Sequence, residues 1–358
     1  MVVRSMTWLR ARVSRGWLLL LVPAAGLFTG CNELPGARTD PANTFAYGGT
    51  MARELGDLYM MTFWWATAVF VVTMAAFFLA LWRFRERPGN PIPRQVHGNT
   101  TFEVMWTIAP TLVLVIVGIP TIQKLFELEH PPAGQPPLEV EVIGHQWWWE
   151  FRYPAELGGF VTASDLHVPV GRPVQLALSS EDVVHSFWPP RLAGKRDVFP
   201  VPATTPWRKN HMWFNVAEPG IYYGQCAEFC GIQHAQMRFF VVAQPENEFL
   251  AWAQRQSQPS PNASNSEGQA AFLRGGCVAC HVVNTSTPDP NQKLLGPNLA
   301  HVGSRLSLAG GTLENNDENL ARWLHDPQAV KPGTKMVLPN PLSEEDIQTL
   351  VRYLRSLQ

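Results

Sequence analysis

Residues Tyr222-Tyr223-Gly224-Gln225-Cys226-Ala227-Glu228-Phe229-Cys230-Gly231, followed by His234 and Met237, bring two thiols, an imidazole and a thioether into one short loop. Soft donors crowded so closely point to a metal. A disulfide between Cys226 and Cys230 would leave His234 and Met237 without a purpose. A structural zinc site could use two Cys with two His, but Met is not an ordinary zinc ligand. Copper accounts for Cys, His and Met together, because thiolate and thioether donors stabilise its lower oxidation state. A second imidazole is needed, and His185 in Glu181-Asp182-Val183-Val184-His185-Ser186-Phe187-Trp188 is the best candidate. With two thiolates instead of one, a pair of bridged coppers fits better than a single blue-copper ion. The segments 138–153, 172–179, 208–216 and 237–243 are alternating or β-branched and aromatic, punctuated by Gly and Pro. They predict a small antiparallel sandwich or barrel carrying the loop.

Downstream, Cys277-Val278-Ala279-Cys280-His281 is the attachment pattern for c-type haem. The two thiols add to the haem vinyl groups, and the adjacent His281 lies close enough to ligate the iron. A CxxC alone could be a redox dithiol or half a zinc site, and the histidine that follows it decides for haem. The sixth ligand is expected from Lys331-Pro332-Gly333-Thr334-Lys335-Met336, where Met336 supplies a thioether that stabilises ferrous iron. His301 and His325 are the rivals. This segment resembles a class I cytochrome c, and the resemblance implies pocket-wall roles for Gly296-Pro297-Asn298-Leu299 and Trp323. Helical patterns at 267–274, 316–325 and 343–356 surround these motifs, and Ser343 with Asp346 forms a capping pair for the last.

Upstream lie two apolar runs, 58–82 and about 104–122, each long enough for a hydrocarbon core that takes about 20 residues. Trp64, Trp65, Trp82 and Trp106 mark their edges as interfacial aromatics do. Pro110 and Pro120 inside the second run imply packing against neighbours that re-satisfy the freed carbonyls. Between the runs, Arg83, Arg85, Arg87 and Arg94 stand against the single acid Glu86, so this loop is expected in the cytoplasm and both outer ends outside. The N-terminus agrees. Arg4, Arg10, Arg12 and Arg15 precede an apolar stretch, 17–28, too short to span. Leu27-Phe28-Thr29-Gly30-Cys31 resembles a bacterial lipoprotein cleavage site, with Phe28 where Leu is usual. Either lipidation at Cys31 or ordinary signal cleavage leaves the mature chain outside the cytoplasm.

The organisation is therefore multi-domain. It comprises a signal segment 1–31, a transmembrane helical hairpin 55–125, a β-sandwich 136–245, a linker 255–267 and a helical domain 268–358. The linker is rich in Gln, Ser, Pro and Asn, and as a flexible coil would span roughly 20 Å root-mean-square. Four of the five Cys fall into two short-spaced pairs, which suits metal or haem chemistry better than a disulfide scaffold. A net charge of −1 and the lack of any basic run with interleaved aromatics argue against nucleic acid.

The copper loop, the segment 180–186 and the run Gly144-His145-Gln146-Trp147-Trp148-Trp149 together resemble cytochrome c oxidase subunit II, over about 57–243. The last segment is similar to a class I cytochrome c, as in oxidases that carry their own cytochrome. The resemblance implies a cupredoxin-like β-sandwich with a binuclear copper-A centre held by His185, Cys226, Cys230, His234 and Met237. It adds Glu228, through its backbone carbonyl, with the Glu228 carboxylate turned to a magnesium ion at the subunit I boundary. It implies that electrons enter at Trp147, and that Glu103 is the acid at the mouth of a proton pathway into subunit I. Without the resemblance, Trp147 is a core aromatic and Glu103 an acid favoured at a helix N-terminus.

The expected function is electron relay in a bacterial cell membrane, with the copper and haem domains on the extracytoplasmic side. A cytochrome c or a bc1-type complex would reduce the haem, the haem the copper, and the copper a haem in subunit I, where oxygen becomes water coupled to proton translocation. The tether would replace an encounter between molecules by a local concentration on the order of millimolar. Oxidase subunit I and the other oxidase subunits are the expected partners, since the hairpin lacks the intramembrane His that an oxygen site needs. The alternatives are a copper-A nitric oxide reductase and a copper carrier or assembly factor. Quinol oxidase subunits resemble the fold without its copper ligands.

Overall fold

The computed structural model describes residues 42–358, apart from 90, 93, 203 and 288–293; the proposed signal segment and Cys31 lie outside the described residues. Two long helices come first, α1 (Thr50–Arg83) and α2 (Thr100–Glu127). Each extends past its apolar run because its polar ends are tied down. Asn99 caps α2 by accepting from the Thr101 and Phe102 amides, and Glu103 reaches back to accept from the Asn99 amide at 3.1 Å. That is a capping box. At the other end Lys124 pairs with Glu54 of α1 at 2.9 Å. Outward-facing Phe70, Val72, Leu114 and Phe126 are all at least 60 % exposed. A surface this apolar is built for lipid or for another subunit. The arginine-rich loop sits at one end of the hairpin. At the other, Thr50 N donates to Asn215 and Trp213 Nε1 donates to Leu128 O, which fixes the hairpin to the β-domain.

That domain is a sandwich of two five-stranded sheets. One, in order, is β3 (Val161–Ala163), β2 (Trp148–Arg152), β1 (Leu138–His145), β5 (Val174–Ser180) and β8 (Asn210–Phe214). The other is β4 (Asp165–Pro169), β10 (Arg238–Gln244), β9 (Gly220–Cys226), β6 (His185–Trp188) and β7 (Arg196–Val198). The alternating runs face each other across a core of Val140, Val142, Leu176, Leu178, Leu166 and Val241. At its centre Phe187 stacks on Phe239 at 4.1 Å, with Trp149 edge-on to Phe187 at 5.3 Å. The sheets are not purely antiparallel, as the sequence pattern had implied. β1 pairs parallel with β5, and β4 with β10. Side-chain alternation reports which face a residue takes, whereas strand direction depends on crossover connections it does not encode.

Helix α3 (Glu246–Gln256) lays Phe249, Trp252 and Ala253 on the sandwich, with Trp252 stacked on His167 at 4.0 Å. The next residues, expected as a flexible coil, are held. Gln258 O accepts from His301 Nε2 at 2.8 Å, Asn262 Nδ2 donates to Ser356 O at 3.0 Å, and Ala263 O accepts from the Tyr353 hydroxyl at 2.9 Å. Polar composition predicts a linker wherever partners are far away in sequence, and here they are about forty to ninety residues away. The helical domain follows, with α4 (Ser266–Arg274), α5 (Asp317–His325), the single turn α6 (Pro327–Val330) and α7 (Glu344–Ser356). Asn265, Asn316 and Ser343 cap α4, α5 and α7 through their side chains. α4 crosses α7 where Gly268 lies flat against the Tyr353 ring, leaving no room for a β-carbon. A short ribbon, β11 (Ser307–Leu308) with β12 (Leu313–Glu314), completes this domain.

Candidate functional site

The loop after β9 closes over the end of the sandwich. Cys226 Sγ lies 3.8 Å from Cys230 Sγ, far beyond the roughly 2.05 Å of a disulfide. Each sulfur has its own imidazole: Cys226 Sγ is 3.9 Å from His185 Nδ1, and Cys230 Sγ is 3.6 Å from His234 Nδ1. Each has a further donor as well, the Glu228 carbonyl 3.2 Å from Cys226 Sγ and the Met237 sulfur 3.8 Å from Cys230 Sγ. The six expected donors thus converge as two similar halves about the pair of sulfurs. His185, Cys226 and Cys230 place one ligand atom each within 4.8 Å of one another, all three buried. The donor chemistry fits copper.

Surrounding groups hold the ligands in place. The Asp182 carboxylate engages His185 Nε2 at 2.9 Å, which leaves Nδ1 turned to the sulfurs. Burial opposes the charged form of His185, but Asp182 and Cys226 together raise its pKa. The hydrogen bond between the two thiols lowers the pKa of Cys226 against its burial and raises that of Cys230, which favours the thiolate at Cys226. The aromatic run serves the same centre. At Gly144 a β-carbon would come within 2.7 Å of His185 Cδ2, so only glycine lets the imidazole sit there. Gln146 Nε2 at 2.8 Å and Trp147 Nε1 at 3.0 Å both donate to the Cys230 carbonyl.

A crevice in the helical domain gathers Cys277, Cys280, His281, Gly296, Pro297, Leu299, Trp323 and Met336. The Pro297 carbonyl engages His281 Nδ1 at 2.8 Å, so Nε2 is the nitrogen left for a ligand. Burial lowers the His281 pKa, which favours the neutral imidazole a metal requires. Gly296 is pressed against the same ring. His301 is occupied with Gln258 O, His325 is exposed, and neither lines the crevice. Arg305 does line it, with a buried Nε that has no partner in the protein. An acidic group on a bound macrocycle would satisfy that donor, and with the two free thiols it makes the crevice a fit for haem c.

The crevice wall is shared between domains. Gln146, Trp147, Trp148 and Ser164 of the sandwich close one side of it. Trp147 therefore adjoins both sites: it is among the residues that line the crevice, and its indole N–H is on the Cys230 carbonyl. Sequence reading passed over the groups that arrange this. Asp182, Gln146 and Lys331 stand inside quoted motifs without a role, and Arg305 and Asp165 stand in none. Asp182 alone had a local signal, three residues before a predicted ligand.

Three family models match the chain. "Cytochrome C oxidase subunit II, transmembrane domain" covers residues 48–124, "Cytochrome C oxidase subunit II, periplasmic domain" covers 156–244, and "Cytochrome c" covers 266–358. The cytochrome c oxidase subunit 2 of Alkalihalophilus pseudofirmus is 39 % identical over 320 residues, 87 % of this chain and 89 % of that one. That of Bacillus subtilis is 34 % identical over 95 % of this chain and 96 % of its own. Among solved structures, the periplasmic domain of subunit II of cytochrome oxidase from Bradyrhizobium japonicum matches at 29 % identity with a TM-score of 0.31. It covers 34 % of this chain and 95 % of that one.

Proposed function

The chain belongs to the cytochrome c oxidase subunit II family with a cytochrome c domain fused to it, and on that premise we propose an internal electron relay from haem c through a binuclear copper centre to subunit I. As a member it is part of a haem-copper oxidase complex with subunit I, and its two family domains support copper and haem c as its cofactors. Bound haem and copper would supply the one-electron sites; the chain's own groups hold, orient and insulate them. Cys277 and Cys280 would hold haem c, with His281 and Met336 as axial ligands. His185, Cys226, Cys230, His234, Met237 and the Glu228 carbonyl would hold the coppers. The Glu228 carboxylate, on a half-buried side chain, is the candidate for a magnesium ion at the subunit I boundary.

One observation carries this reading. Two sulfurs 3.8 Å apart each have a separate imidazole within 4 Å, and the peptide of one of them is hydrogen bonded to the indole of Trp147, a residue that lines the crevice. A mononuclear site has no use for the second half of that set. An outside donor, a cytochrome c or a bc1-type complex, would meet the crevice mouth where Leu295 and Val337 are both over 70 % exposed. The arginine loop lies at the end of the hairpin away from the sandwich, which supports a cytoplasmic loop with both redox domains outside. A leader cleaved or lipidated at Cys31 belongs to the same proposal. Electron paramagnetic resonance of the purified oxidase is the test. One electron shared over two copper nuclei is expected, and is lost in Cys230→Ser; a one-copper pattern, or zinc in its place, rejects the relay.

A further inference from the structure

The relay reading leaves open whether the haem domain swings on its tether or stays docked, and Lys331 bears on that question. Lys331 belongs to the loop that carries Met336, yet its side chain leaves the helical domain. It is 2 % exposed. Its Nζ donates to Ala309 O at 2.7 Å, Trp147 O at 2.9 Å and Gln236 O at 3.0 Å. The three carbonyls come from three different segments, and a lysine amine donates without accepting from any of them. Two of the segments belong to the sandwich. One holds Trp147, and the other is the turn just before Met237.

Around this contact the interface is built to the same tolerance. Arg238 N donates to Gly310 O at 2.9 Å and Leu306 N to the buried Asp165 carboxylate at 2.6 Å. Gln233 Nε2 donates to Pro332 O, and Lys335 Nζ to Asp182 at 3.0 Å on the rim. Gly310 has φ +67°, and a β-carbon there would run into the Trp147 carbonyl and lie 3.0 Å from Lys331 Nζ. Backbone carbonyls buried in this way have no water to turn to when their donor is removed.

We propose that Lys331 is a positioning residue for electron transfer within the chain, a buried pin that holds the haem crevice against Trp147 so that the haem domain works docked and not tethered. The proposal rests on the relay reading. It predicts that transfer from haem to copper in the intact oxidase, started by flash reduction of the haem, is independent of solvent viscosity. Lys331→Met keeps the volume and removes the donors. It is expected to slow that transfer about tenfold or more, the change that follows from an interaction of about 1.4 kcal/mol, and to make it viscosity-dependent. The Arg238 and Leu306 amides should exchange faster with deuterium, while amides of β9 and of β10 beyond Arg238 keep their protection. Gly310→Ala, which retains the lysine and wedges the interface from the other side, should do the same.

Arg352→Gln removes an exposed ion pair inside the helical domain, with Glu267 at 3.7 Å, and should leave the rate and its viscosity independence as they are. An unchanged, viscosity-independent rate in both Lys331→Met and Gly310→Ala overturns the proposal whatever the exchange shows. A viscosity-dependent rate in the unsubstituted chain overturns it too. If the unsubstituted oxidase passes no electron from haem to copper, the relay itself has failed, and that failure is visible before any substitution.

Discussion

Gly144→Ala is a one-carbon change remote from every copper donor in sequence, and the structure assigns it a large effect. The new β-carbon would lie 2.7 Å from His185 Cδ2, 3.1 Å from His185 Cγ and 3.3 Å from Trp149 Cζ3. Carbon atoms in comfortable contact sit about 3.5–4.0 Å apart, so the imidazole must retreat by roughly 1 Å. It cannot do so freely, since Asp182 holds its far nitrogen at 2.9 Å and Trp149 packs edge-on against it at 5.7 Å between ring centres. Either that hydrogen bond is lost or Nδ1 leaves its line to the sulfurs. Loss of a group that orients a metal ligand typically lowers metal affinity about 10–100-fold, and the same is expected here. Competition with a graded copper chelator measures it, and the resonance spectrum shows whether the two coppers become unequal. Gly118→Ala, where an added carbon meets nothing within 4 Å, is the control. Wild-type copper affinity and an unaltered spectrum in Gly144→Ala would refute the reasoning.

Asp182→Asn keeps the shape of the side chain that orients His185 but removes its charge, so copper affinity should fall about tenfold in the same competition assay. Trp147→Phe keeps an aromatic side chain and deletes the bond to the Cys230 carbonyl; flash reduction of the haem should show slower arrival at copper with copper content unchanged. Glu103→Gln preserves the capping box, because Gln also accepts from the Asn99 amide, so helix stability should hold while proton uptake by the oxidase falls if the carboxylate serves a proton path. Buried Asp165, which faces Arg305 and Tyr153, has its pKa raised by burial to about 7. A carboxylate raised in the folded state binds protons more tightly there, so its contribution favours folding at low pH and is lost as pH rises from about 4 to about 7. Asp165→Asn removes that loss, so its melting temperature relative to wild type should be higher at pH 8 than at pH 5. The rise from an ordinary carboxylate to about 7 sets an upper limit of about 4 kcal/mol on the gain, less about 1–3 kcal/mol for burying an unpaired amide. An identical difference at both pH values would rule this out.

What could be read from the sequence is what the chain keeps local. Cys226, Cys230, His234 and Met237 are legible because one loop carries all four soft donors, and Cys277, Cys280 and His281 because one turn carries all three. The helix cap at Ser343 is legible for the same reason, acting within four residues. His185 was harder, forty-one residues from Cys226, and needed the motif around it. Glu103 shows how a local role and a distant one can overlap, since its carboxylate reaches back to Asn99 and would also be the group offered to a neighbour. The parallel pairing of β1 with β5 leaves no mark on side-chain alternation. Arg305, Asp165 and Lys331 leave none either, because a charged residue that will be buried between domains has the same composition as one in water.

The region expected to be a tether bears most on how the chain works. A flexible coil would give the haem an effective concentration and many orientations, and only a fraction of encounters would bring the crevice to Trp147. The observed chain has little freedom to do that. α3 is fastened to the sandwich by Phe249 and Trp252, the residues after it are fastened to the helical domain through Gln258, Asn262 and Ala263, and the domains meet through Lys331, Leu306 and Arg238. Each bond alone is a modest net contribution, about 1 kcal/mol. Together they would replace a search by a fixed geometry, which the proposed relay past Trp147 requires. In the proposed relay, an electron that enters at the crevice mouth by Leu295 and Val337 would then have a short way on, and its rate would follow the arrival of the donor rather than the motion of the haem domain.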